Sequence, residues 1–321
     1  MKKIFSLLLA LAMVLSFAAC GAQSTELENA VPAAPETEAA SAPASAAKPA
    51  TDPSGAPVDI PDEIDSIISL SPAAAEVIIE LGCGDKIIAC DTNSTGLKGM
   101  PEGIPAFDLM QPDMEMLSSL KPDVLVVSNL TLYDEKSPYR QLTDMGVCVL
   151  NIPSANSIAE IISQIQFIGD AMGKSDEGRV IADNMQAQLD SIAEKAKTIT
   201  DKKTVYFEIG AAPSMYSFGS NVFLNEMIEL IGAENILADQ EGWLPVEGET
   251  VAAANPDVIL TNVNYIEDSV GEILSRSGWE GMKAIENKDV YYIDNMASSL
   301  GNQNIITALQ EMAEAVYPDI Y

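Results

Sequence analysis

Read as apolar and polar positions, the chain changes character twice. Residues 4–19 form an apolar run broken only by Ser6 and Ser16 and preceded by Lys2 and Lys3. That pattern predicts a secretory signal over residues 1–19, outside the fold. An uncleaved anchor is the weaker reading, because about 16 apolar residues fall short of the roughly 20 that a spanning helix needs. Residues 22–57 are dominated by Ala, Pro, Ser, Thr and Glu. Such a composition buries too little apolar surface to offset the entropy of ordering, so residues 20–59 are expected to be a disordered tether. From residue 60 to residue 321 the pattern is that of ordinary globular protein, long enough for two domains of about 130 residues each.

Inside the globular region, short apolar runs alternate with helical periodicity. Strands are predicted at Ile67–Leu70, Ile87–Ala89, Val124–Val127, Val147–Asn151, Thr204–Glu208, Val258–Leu260 and Val290–Ile293. This alternation predicts α/β architecture with parallel sheets under helical cover. A charged segment around residues 175–199 carries an apolar stripe at Ile181, Met185, Leu189, Ile192, Ala196 and Ile199. As one helix it spans about 35 Å at 1.5 Å per residue, a stiff strut and not a flexible hinge. The expected division is an N-terminal lobe over 60–172, a connecting helix over 173–200 and a C-terminal lobe over 201–321.

The two lobes repeat each other. The segment beginning Glu76-Val-Ile-Ile-Glu-Leu-Gly aligns with Glu226-Met-Ile-Glu-Leu-Ile-Gly, each a short amphipathic helix closed by glycine with an apolar strand to follow. The segment Glu115-Met-Leu-Ser-Ser-Leu-Lys-Pro-Asp-Val aligns with Glu249-Thr-Val-Ala-Ala-Ala-Asn-Pro-Asp-Val. In each, the proline ends a helix and a fully apolar strand follows.

Composition then removes chemistry. The chain has no histidine, so Ser-His-Asp catalysis, HExxH zinc sites and histidine-based metal capture are unavailable. No GxSxG, phosphate loop or paired-carboxylate motif appears, and no enzyme activity or cofactor is expected. The best enzymatic alternative is a chelatase-like protein. The net charge of −31 opposes binding to nucleic acid or anionic lipid. Cys83, Cys90 and Cys148 lack CxxC spacing and read as buried free thiols, although a Cys83–Cys90 bridge is compatible with export.

The stretch Leu15-Ser16-Phe17-Ala18-Ala19-Cys20 resembles a bacterial lipobox, with Phe17 where that motif usually carries Leu. Cys20 is the implied lipid acceptor, which anchors the exported protein at the outer face of the membrane. The segments Ile67-Ile-Ser-Leu-Ser-Pro-Ala-Ala-Ala-Glu76, Leu120-Lys-Pro-Asp-Val-Leu-Val-Val127, Gly232-Ala-Glu-Asn-Ile236 and Asn255-Pro-Asp-Val-Ile259 resemble the substrate-binding proteins of iron-complex and cobalamin ABC importers. The resemblance runs from about residue 63 to the C-terminus. It implies the class III periplasmic-binding fold, two similar lobes joined by one long rigid helix, and a monomer that hands its solute to importer membrane subunits. It also implies that Glu115 and Glu249 dock on those subunits, although a glutamate at a helix N-terminus is favoured by the helix dipole in any case.

The ligand site is expected between the lobes, where loops leave the carboxyl ends of parallel strands. Candidate ligand contacts are Phe107, Asp108, Asn129, Tyr133, Ser214, Met215, Tyr216, Trp243, Asn264, Tyr265, Asn295 and Met296, with Ser71, Pro72, Asp91, Thr92 and Ser128 beside them. Trp243 precedes Glu249 by six residues, as a ligand-contacting tryptophan does in cobalamin-binding relatives; core packing is the competing reading. Only three arginines occur, Arg140, Arg179 and Arg276. That scarcity points to a neutral or weakly charged ligand, such as cobalamin or a hydroxamate ferric siderophore, over a catecholate complex; haem, through Tyr or Met ligation, is the less favoured alternative because its usual histidine ligand is missing. A ligand-binding surface sensor is the remaining alternative.

Overall fold

A computed structural model describes residues 48–109, 111–128 and 139–321; the signal, Cys20, Asn129 and Tyr133 lie outside the described residues. The N-terminal lobe runs β1 (Ile67–Ser69), α1 (Pro72–Ile78), β2 (Ile87–Asp91), β3 (Ala106–Phe107), α2 (Met114–Ser119), β4 (Val124–Val127), α3 (Arg140–Asp144), β5 (Cys148–Asn151) and α4 (Ile158–Ala171). Its strands form a wholly parallel sheet in the order β3-β2-β1-β4-β5. The 22-residue helix α5 (Ser175–Ala196) follows. It is about 33 Å long at 1.5 Å per residue.

The C-terminal lobe runs β6 (Thr204–Glu208), β7 (Tyr216–Phe218), α6 (Phe223–Leu230), β8 (Glu234–Asn235), β9 (Trp243–Pro245), α7 (Gly248–Ala254), β10 (Val258–Thr261), α8 (Ser269–Leu274), α9 (Lys283–Asn287), β11 (Val290–Tyr292), α10 (Asn295–Ser299) and α11 (Ile305–Val316). A second parallel sheet has the order β11-β10-β6-β8, and β7 pairs antiparallel with β9. Every residue of β4, β5 and β10 is buried. Strands covered on both faces read as continuous apolar runs, which is why these three stand out in the sequence.

Among the described residues, three apolar clusters hold the lobes together. One is continuous from β1 and α1 through α4 and α5 to β6, α6 and α11, so the inner faces of both sheets share a single core with the strut. The outer face of the N-terminal sheet packs on Phe107, Leu117, Tyr139 and Leu142. The outer face of the C-terminal sheet packs on Met215, Val251, Trp279 and Met282. Helices α4 and α5 turn back on each other at Gly173, and a Cβ added to Gly169 would stand 3.0 Å from the Gly178 Cα. The pair of glycines lets the two helix backbones touch.

The internal repeat extends to hydrogen bonds. Lys121 and Asn255 both take left-handed backbone angles, φ 46 and 50, immediately before Pro122 and Pro256. Asp123 Oδ2 then accepts from the Ser66 amide and hydroxyl, each at 2.9 Å, while Asp257 Oδ2 accepts from the Thr204 amide at 2.9 Å and hydroxyl at 2.8 Å. In each lobe the same aspartate clasps the segment entering the first strand.

Two expectations need correction. Residues 48–59, assigned to the tether, fold onto the N-terminal lobe: Asp52 is buried and its Oδ1 accepts from the Ser54 and Ala56 amides. Its Oδ2 accepts from the Asn151 amide at 3.0 Å, satisfying a donor on the outer strand β5. The apolar run after Gly232 yields only β8, because Asn235 closes it: its side chain donates to the Phe218 carbonyl and accepts from the Leu237 amide, both at 3.0 Å.

Candidate functional site

Between the lobes lies a cavity of about 600 Å³. All five N-terminal strands feed it from their carboxyl ends: β1 through Ser71–Ala73, β2 through Asn93, β3 through Leu109, β4 through Ser128 and β5 through residues 152–156. The opposite wall is Phe223 at the start of α6, Trp243 on β9, Asn264 after β10, and Asn295, Met296, Ser299, Leu300 and Gly301 around α10. A volume of this size lies within the range that encloses most of a drug-sized molecule.

Local structure aims several of these side chains. The antiparallel β7–β9 pair stacks Trp243 edge-on against the buried Phe218, ring centroids 5.8 Å apart, and leaves the indole 45% exposed toward the cavity. Asn295 donates to the Asn262 carbonyl at 2.7 Å, and Asn262 itself is buried and donates to Ser298 and Ser299. Gln164 donates to the Pro153 carbonyl at 2.9 Å. The lining is therefore a ring of amides and hydroxyls around apolar surface, and no Asp, Glu, Lys or Arg belongs to it among the described residues.

Of the proposed ligand contacts, Trp243, Asn264, Asn295 and Met296 come together in this cavity, as do Ser71, Pro72 and Ser128. Others are placed elsewhere. Phe107 is 3% exposed within the outer core of the N-terminal lobe, and Met215 is buried against the Trp279 cluster. These two are corrected to core residues: Phe107 closes β3 and Met215 immediately precedes β7, but each packs into the layer behind its sheet. Asp108 accepts from the Gln111 amide beside the cavity. Ser214 is exposed at the tip before β7, and Tyr216, which sits on that strand and not in a loop, donates to the Trp243 carbonyl. The hydroxyl of Tyr265 accepts from the Ala211 amide at 2.8 Å. Asp91 is buried and shapes its own turn through Ser94 and the Asn93 amide. The residues overlooked include Asn93, Ile152 to Asn156, Gln164 and Phe223. The signal was present, since Pro153-Ser-Ala-Asn156 follows β5 just as the other candidate loops follow their strands.

Two of the three arginines are held away from the cleft by ion pairs. Arg276 is 9% exposed and bridges Glu208, itself 1% exposed, at 2.6 Å; it also pairs with Glu272 and stacks over Trp279, 4.4 Å from the ring centroid. Arg179 pairs with Asp176 on the strut surface. Among the described residues, no three His, Cys, Asp or Glu side chains gather to hold a metal, and no helix is long and apolar enough to cross a membrane. Cys83, Cys90 and Cys148 are buried free thiols, with burial pushing the Cys90 and Cys148 groups up to about 11.

Away from the cavity, Glu115 and Glu249 occupy the second position of α2 and α7, and both are exposed. Two residues later Leu117 and Val251 are fully buried, so the two helices seat on their lobes in the same way and present the glutamates equivalently.

A family model for periplasmic binding proteins matches residues 67–297. An uncharacterized ABC transporter substrate-binding lipoprotein of Bacillus subtilis is 33% identical over 272 residues, covering 84% of this chain and 85% of the relative. The molybdate-binding protein MolA of Haemophilus influenzae is 26% identical over 81% of this chain and 82% of its own. Its solved structure superposes with a TM-score of 0.72, at 23% identity, over 84% of this chain and 90% of that one. A cobalamin-binding protein of Halobacterium salinarum is 24% identical over 67% of this chain and 59% of its own. The family match, the Bacillus relative and the two-lobed parallel architecture agree: the chain belongs to the periplasmic binding protein family, a solute-binding protein and not an enzyme.

Proposed function

We propose that this protein is an extracytoplasmic lipoprotein, anchored through Cys20, that captures an uncharged metal complex in the inter-lobe cleft and delivers it to an ABC importer. Cobalamin and a hydroxamate-type ferric siderophore are the two cargo classes with the right chemistry. One observation carries the reading: the cleft is lined by amides, hydroxyls, Trp243 and aliphatic groups, with no charged side chain among its described lining residues. An oxyanion or a catecholate complex taken out of water there would leave its charge uncompensated, a cost of several kcal/mol. A bulky neutral ligand instead gains aromatic contact and hydrogen bonds from Asn93, Asn156, Asn264 and Asn295. The cobalamin-binding relative supports this choice, and the molybdate-binding relative marks the class that the lining disfavours.

The two tryptophans make a direct test. Trp243 faces the cavity and Trp279 is buried at 3% exposure in the C-terminal core. Emission of the purified protein is titrated with cyanocobalamin, a ferric hydroxamate, a ferric catecholate, haem and molybdate, with correction for ligand absorbance. Saturable quenching by a neutral complex, lost in Trp243→Phe, is expected. Tight binding of only the anionic ligands overturns the proposal.

A further inference from the structure

The repeat that aligns Glu76 with Glu226 gives neither residue a role, yet both carboxylates reach across the boundary between the lobes. Glu76, on α1 of the N-terminal lobe, accepts from the side chains of Asn302 and Asn304, the latter at 3.0 Å, in the turn that enters α11 of the C-terminal lobe. Asn302 is fully buried and also donates to the Ala73 carbonyl, and Gln303 donates to the Glu76 carbonyl at 3.4 Å. Reciprocally, Glu226 on α6 of the C-terminal lobe accepts from the Ile158 amide at 2.8 Å, the first residue of α4 in the N-terminal lobe. A carboxylate there also meets the positive end of the α4 dipole.

Each clamp lies one step from the cavity wall. Glu76 is one helical turn from Pro72 and Ala73, and its partner turn follows Leu300 and Gly301; Glu226 is one turn from Phe223, and Ile158 lies two residues past Asn156. Of the four elements fastened in pairs, α1, α4 and α6 each contribute lining residues to the cavity, and the turn entering α11 adjoins Leu300 and Gly301 in its wall. We infer that Glu76 and Glu226 are positioning residues: a repeat-related pair of inter-lobe clamps that, with the strut, fixes the aperture of the cleft before ligand arrives. The strut and the shared core join the lobes, and the two bonds, of opposite direction, fasten them at two further places. The inference concerns the geometry of the cleft and does not depend on the charge of the cargo.

The test reads lobe separation in the whole chain without ligand. Spin labels are coupled through an azide-bearing amino acid at Ser119 in α2 and Glu286 in α9, both exposed and one on each lobe. Pulsed dipolar spectroscopy then compares the unsubstituted protein with Glu76→Ala/Glu226→Ala and with Glu76→Gln/Glu226→Gln. The glutamines keep an acceptor oxygen, so they are expected to retain the narrow distribution. The alanine pair is expected to shift or broaden it by about 2 Å or more, the scale of lobe rearrangements. Glu226→Ala alone guards against misfolding, since its partner is a helix-terminal amide that water can satisfy, and it too is expected to broaden the distribution. An unchanged distribution in the alanine variants overturns the inference, as does broadening in the glutamine pair equal to that in the alanine pair.

Discussion

Arg276 shows how a residue's chemistry depends on where the chain leaves it. It is one of three arginines in a protein that handles a small solute, and the scarcity of cations bears on the choice of ligand. The structure places it behind the C-terminal sheet, bridging Glu208 and Glu272, where burial, aided by the Glu272 charge, holds the Glu208 carboxyl above its ordinary range and the guanidinium opposes that shift. Arg276→Ala therefore strands a buried carboxylate and is expected to cost about 3–5 kcal/mol in urea unfolding. Adding Glu208→Gln to that variant is expected to recover part of the loss, with ligand preference unaltered in both. A change of ligand preference without loss of stability would place Arg276 in the site after all. The same distinction separates the candidates. Trp243, Asn264 and Asn295 could be read from the rule that loops at strand carboxyl ends meet ligand. Phe107 and Met215 fall under the same rule yet point the other way, and loop position alone does not report side-chain direction.

At the scale of elements, the aspartate clasps tie helix, proline and strand into one unit in each lobe. The Asp65 amide, the strongest influence on Asp123, holds its carboxyl below the ordinary range, aided by Ser66 and opposed by burial. For Asp257 burial is the largest influence and pushes upward, but the Thr204 amide, Lys283 and the Thr204 hydroxyl together bring the group below its ordinary value. A carboxyl depressed in the folded state stabilises fully above its unfolded pKa of about 3.9 and loses that contribution as pH falls toward the folded value. Melting temperature is expected to hold between about pH 7 and 5 and to drop below about pH 4. Asp123→Asn/Asp257→Asn should melt lower at neutral pH and show a shallower acid drop; parallel profiles for the two proteins would contradict this origin. The buried parallel strands, the strut and the proline boundaries were legible because each writes a period or a break into the sequence. The antiparallel β7–β9 pair was not, since three-residue strands carry almost no alternation and α6 and β8 separate the two in sequence. The docking of residues 48–59 was hidden too, because one buried aspartate does that work inside an otherwise tether-like composition.

At the scale of the molecule, a shared core runs through both lobes and the strut, and two surfaces use it differently. The cleft is lined by neutral polar groups, and Glu115 and Glu249 are exposed, one on each lobe, where we propose that an importer reads them. The lobe repeat made that equivalence visible in sequence, whereas the cross-lobe partners of Glu76 and Glu226 were invisible, because they join residues 68 and more than 220 positions apart. Exposed charge pairs govern encounter and orientation more than raw affinity, so removing both glutamates should uncouple delivery from capture. The measurement that bears most directly on the account is uptake of labelled cobalamin or ferric hydroxamate, whichever quenches Trp243, by cells whose only copy carries Glu115→Ala/Glu249→Ala, with the affinity of the purified variant determined by calorimetry alongside. The account predicts lost uptake with unchanged affinity; uptake at the unsubstituted level would contradict it.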